Sequence, residues 1–298
     1  MGDDPNKVAE LSIDEIDLLV EKKATCPFIG SAVAQGKLAV RNSAECPLAS
    51  IEDIRKLGNT GGGDLGDLLV VFATGNHAFM KGDSERLDKE VPSGLFSLEF
   101  PGSQGSHPGH SGILQGDPEV PDSGRLRPVN FARLANRAKE GLIKRSDVGR
   151  FIAENLFKDA KSKVFGSNVV TLLAGDLLAF VETIGPAWMR RLFGSDDDAS
   201  TAHREVEEKL TKLLGEDNLV GSAGEFGLLF ALLVNKPGAK EIDGEPTVSL
   251  RDLEAMFLEK RLPDGWETWK KSRMDWVKNT TGLLVSAAKE YRALRRTR

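Results

Sequence analysis

Apolar residues recur three and four positions apart along most of this chain, whereas strand-type alternation is scarce, so the pattern predicts a mostly α fold. A short amphipathic helix is expected over Ile13 to Leu19 and a second over Phe28 to Leu38. Ser50-Ile51-Glu52-Asp53 opens a third, with an N-cap serine and an acid three positions on. Leu65 to Met80 is more continuously apolar and reads as buried. Helical spacing returns over Asn130 to Glu140, Ser146 to Lys163, Ser167 to Phe193, Thr201 to Leu214, Ala223 to Asn235 and Ser249 to Lys260. One or two final helices reach Arg298. Only Thr247-Val248 and a few residues of one long loop suit a strand.

That loop runs from about Lys81 to Pro128, where the pattern gives way to glycine, proline, serine and charge. Compact domains rarely carry such a length without a functional reason, so the stretch is expected to wrap something. No internal repeat and no shift in composition divides the chain. The expectation is a single all-α domain over 1–298, with an N-terminal extension over 1–24 and a C-terminal helical extension over 267–298.

Composition narrows the partners. A chain of 298 residues can bury a core and still leave room for a prosthetic group. Its net charge of -5 gives no global basic footprint, which argues against nucleic acid and against an anionic membrane surface. No apolar run is long enough to span a bilayer. The start Gly2-Asp3-Asp4-Pro5 lacks a basic region leading into a hydrophobic signal core, which gives the expectation of a soluble cytoplasmic protein. Two cysteines, Cys26 and Cys46, cannot staple a chain of this size, and Cys26 is expected to be reduced.

Candidate chemistry begins with Cys26-Pro27. Proline favours the first helical position, so Cys26 falls at or beside an N-cap, where the helix dipole and free N–H groups lower a thiol's pKa. A thiolate there suits haem iron, and a buried structural cysteine is the plain alternative. Ser106-His107-Pro108-Gly109-His110-Ser111-Gly112 sets two histidines among small residues, close to a ligand or simply in a solvated loop. Asp176, flanked on both sides by apolar residues, is costly to bury unless its environment shifts its pKa, which is also how a general acid–base group is prepared. Glu182 lies six residues on, so the two cannot both face one pocket squarely; both are catalytic candidates, with Asp176 the favoured one. Gly61-Gly62-Gly63-Asp64 lacks the lysine and the strand–loop–helix setting of a phosphate loop. His77 sits near the end of the buried helix, a weaker haem ligand than Cys26, and His203 reads as exposed.

Taken in order, these pieces resemble the haem-thiolate peroxidases, the chloroperoxidase and unspecific peroxygenase family. The Cys26-Pro27-Phe28 step, with its small-residue helix to Gly36-Lys37-Leu38, is similar to the proximal motif. Gly109-His110-Ser111-Gly112-Ile113-Leu114 is similar to a worn form of the distal loop. Gly224-Glu225-Phe226-Gly227 and Arg261-Leu262-Pro263-Asp264-Gly265-Trp266 are similar to the two late helices and their ending. The resemblance covers about Thr25 to Trp266 and implies haem b between helices with Cys26 as axial ligand to the iron. It further implies that Asp176 with His110 moves the peroxide proton. Pro27, Phe28, Phe72, His77 and Ser111 are then expected beside the cofactor, and Leu172, Phe180, Phe79 and Phe226 are further candidates for the pocket lining. Gly109 and Ser111 stand where the family's loop has two acids, which leaves doubtful the magnesium ion that some members bind beside a haem propionate. Val169 and Val170 stand where an arginine would precede the distal acid.

The expected function is therefore a haem-thiolate peroxidase or peroxygenase that uses hydrogen peroxide to oxidise a small organic substrate. The weakened loop motif keeps open a non-catalytic helical protein, a sensor or carrier, that binds haem or another apolar ligand. A third reading is a cofactor-free interaction protein in which Cys26 is merely buried.

Overall fold

The computed structural model describes residues 6–78, 94–98, 112–114, 125–158 and 218–297. Helices dominate them, and local sequence explains where each begins. α1 (Ile13–Lys22) opens on a capping box in which Ser12 accepts from the Glu15 amide while the Glu15 carboxylate accepts from the Ser12 amide, 2.8 Å away. α2 (Pro27–Ala34) carries proline at its first position and Cys26 as its N-cap. It stops four residues short of the expected Leu38, because Gly36 turns the chain at φ 65° and the Lys37 amide reaches back to the Ala32 carbonyl. α3 (Ile51–Gly58) starts from the Ser50 cap and packs against α4 (Gly66–Ala78).

The later helices form the centre of the molecule. α5 (Pro128–Ala135) and α6 (Arg145–Lys158) precede α7 (Asn218–Leu233), α8 (Leu250–Phe257) and the long α9 (Arg273–Arg296). α9 lies against both α6 and α7 and buries Trp276, Leu283, Leu284 and Ala287. Glycines allow this closeness: a Cβ on Gly227 of α7 would stand 2.0 Å from the Thr280 Oγ1 of α9, and one on Gly149 of α6 would stand 2.5 Å from the Ser286 Cβ. Within the stretch 267–298, read from sequence as a C-terminal extension, the inward face of α9 contributes buried residues. Trp269 and Trp276 belong to the buried core. In the N-terminal stretch, Leu19 and Val20 of α1 are buried and α1 packs on α2.

Strands are more numerous than expected, though all are short. β1 (Arg41–Asn42), β2 (Pro47–Ser50) and β3 (Leu95–Ser97) form one antiparallel sheet in that order, with Ala49 opposite Phe96. β4 (Leu142–Lys144), β5 (Glu241–Ile242) and β6 (Glu245–Ser249) form a second in the order β4-β6-β5. Ile143 and Val248, both buried, pair directly. Two helix–strand–helix units, α5-β4-α6 and α7-β6-α8, are joined at that pair, which fixes α8 relative to α6.

Candidate functional site

The N-terminus of α2, α4, α7 and the end of α8 enclose a cleft of about 680 Å³ including its open mouth. Pro27, Phe28 and Ile29 come from α2, and Leu69, Phe72 and Ala73 from α4. Phe226, Leu229 and Leu232 of α7 and Met256 and Phe257 of α8 complete the apolar wall, with Ile113 and Leu114 from the middle of the long loop. Two lining residues are chemically distinct from these: Cys26 and Glu225.

The wall is held by a few specific contacts. The buried Ser31 hydroxyl of α2 donates to the Met256 carbonyl of α8 at 3.2 Å, tying two sides of the cleft together. The Phe28 ring lies 5.4 Å from that of Trp266, whose indole N–H donates to the Leu57 carbonyl at 3.2 Å. Phe72 meets Trp276 edge to face at 6.3 Å. Trp266 and Trp269 also stack around Lys271, whose Nζ stands 4.4 and 4.2 Å from their ring centres and donates to the carbonyls of both residues. Burial lowers the Lys271 pKa to about 8, opposed by the Glu267 carboxylate.

Cys26 sits at the N-cap as expected, but its acidity goes the other way. Loss of water on enclosure pushes the thiol up to about 11. The amides of Ile29 and Phe28 lean toward the sulfur and favour the anion, without closing a capping hydrogen bond, and Lys260 acts in the same sense. Glu225 adds to the rise by like-charge repulsion. In the ligand-free protein the helix N-terminus therefore loses to desolvation, and Cys26 carries its proton at neutral pH.

Of the residues singled out in the sequence, Cys26, Pro27, Phe28, Phe72 and Phe226 share this cleft. His77 lies in the last turn of α4. His107, His110, Ser111, Leu172, Asp176, Phe180, Glu182 and Phe79 lie outside the described residues. Glu225 was not singled out for a role of its own, although the signal that drew attention to Asp176, an acid set among apolar neighbours, applies equally to Gly224-Glu225-Phe226.

No family model matches this chain, and neither a curated protein nor a solved structure matches it. Among the described residues no helix is long and apolar enough to cross a membrane, and no group of three or more His, Cys, Asp or Glu side chains could hold a metal ion. A haem iron asks less of the protein than that, since the porphyrin fills four positions and one axial side chain completes the attachment. The donor chemistry is compatible with such an attachment, since one thiol stands in a mostly apolar cleft.

Proposed function

We propose that this chain binds haem b in the cleft through Cys26 and uses hydrogen peroxide to oxidise a small organic substrate. The observation that carries the proposal is the pairing of a thiol at a helix N-cap with one carboxylate, Glu225, in an otherwise apolar cleft. A thiolate-ligated haem supplies cleavage of the peroxide O–O bond and the oxidising equivalents. Cys26 would hold the iron through its sulfur, giving up its proton as ligating thiols do. With haem bound, Glu225 would be the carboxylate available to transfer the peroxide proton, the work the family resemblance assigns to Asp176 with His110. The phenylalanines and leucines of the wall exclude water and admit an apolar substrate.

The test is an absorption spectrum of the protein produced with haem available, reduced and exposed to carbon monoxide. A Soret band at the position typical of thiolate ligation, lost in Cys26→Ala, supports the proposal, and colourless wild-type protein overturns it. With haem bound, Glu225→Gln should slow peroxide activation without changing the spectrum. A second reading, a carrier or sensor of an apolar ligand, is favoured by the raised pKa of Cys26. It predicts bound ligand but only a background rate of peroxide-dependent phenol oxidation.

A further inference from the structure

The cleft is wide at its mouth and narrow within. Of the roughly 680 Å³ that includes the mouth, about 70 Å³ is cavity proper, the part a water-sized body can occupy. A dry apolar cavity of about 150 Å³ takes benzene, so this smaller space suits a chain of about four carbons rather than a large ring system.

The inner wall has little freedom to yield. Leu69 and Ala73 of α4, Leu229 and Leu232 of α7 and Met256 of α8 are all buried. Behind them the Ser31 hydroxyl ties α2 to the Met256 carbonyl, and the Trp269 indole N–H donates to the Leu232 carbonyl at 2.8 Å. Close-packed interiors hold such a volume nearly fixed, so length selects among ligands.

Chemistry selects as well. Among the described lining residues the polar side chains are Cys26 and Glu225, and the carboxylate lies near enough to the sulfur to oppose a thiolate there. No lysine, arginine or histidine stands on that lining to meet an acidic ligand. An ammonium head would have to shed its water in an apolar cleft, at far greater cost than a hydroxyl. A hydroxyl both donates and accepts, and a carboxylate and a protonated thiol offer one acceptor and one donor.

We propose that the cleft is a binding site for a short-chain alcohol of about four carbons, its chain among the leucines and phenylalanines and its hydroxyl toward Cys26 and Glu225. The inference rests on the second reading above, a carrier or sensor of an apolar ligand, and names the class of that ligand.

The experiment titrates haem-free protein calorimetrically with straight-chain primary alcohols from ethanol to octanol. Affinity should climb about fourfold with each methylene as far as about butanol, the worth of burying a CH2, and then level off. Butylamine and butyrate should bind about tenfold more weakly than butanol, or worse. Ala73→Val fills part of the cavity and should move the break to alcohols shorter by about one or two carbons, whereas Leu229→Val adds a methylene's room and should move it out by about one. Affinity that keeps climbing to octanol overturns the size limit. Butylamine that binds as tightly as butanol overturns the choice of head group, and a break that stays in place in both variants overturns the cleft as the site. No binding at any length overturns the inference and the second reading together, while the haem reading stands or falls on its own spectrum.

Discussion

The indole N–H of Trp276 donates to the carbonyl oxygen of Gly224 across 2.9 Å, and so α9 grips α7 at the residue immediately before Glu225. The same indole supports Phe72 of the cleft wall from behind. One side chain outside the cleft therefore sets the position of two residues inside it.

Replacing that indole should be felt in both stability and binding. Trp276→Phe removes the hydrogen bond and leaves a small void, for a loss of about 1–2 kcal/mol in urea unfolding. Affinity for a fluorescent apolar probe should fall in parallel, because Phe72 loses its backing. An unchanged midpoint and unchanged affinity would show that Trp276 merely fills space.

The approach of α7 to α9 gives a sharper prediction. Gly227→Ala puts a methyl group 2.0 Å from the Thr280 hydroxyl, so it should destabilise the fold by about 1–3 kcal/mol. The buried Thr280 Oγ1 has no hydrogen-bond partner among the described residues, so Thr280→Ala alone should cost little. Combining the two should recover part of the loss, and strictly additive effects in a double-mutant cycle would refute direct contact.

Alkaline pH should weaken the ligand-free protein through Cys26. Its thiol holds a proton more tightly folded, at about 11, than at the reference value of 9.0, so the folded state binds more protons across that interval. The stabilisation is complete below about 9 and is lost as pH rises toward 11. Lys271 works in the opposite sense, since its folded pKa of about 8 lies below the reference 10.5 and stability gains as pH climbs between them. Comparing wild type with Cys26→Ser cancels Lys271. The wild type should lose more stability between pH 9 and 11 than the variant, and parallel curves would contradict the raised thiol.

Much of the helical layout was legible because capping and periodicity act locally: Ser50, Pro27 and the apolar run after Leu65 mark their helices without help from the rest of the chain. The strands were not, because segments such as Leu142-Ile143-Lys144 are too short for alternation to register, and they exist by pairing with residues more than 100 positions away. The Cys26-Pro27 cap was legible for the same local reason. The thiol's acidity was not, since it depends on water excluded by α4, α7 and α8.

The cleft draws on residues 26–29, 54, 69–73, 113–114, 225–232 and 256–257, so no contiguous fragment of the chain can make it. Closing loops of that length places its assembly late in folding, after the local helices and hairpins have formed. Ligand capture must then follow folding rather than guide it. Once captured, a tight ligand links segments as far apart as Cys26 and Phe257 and raises the stability of the folded chain by mass action.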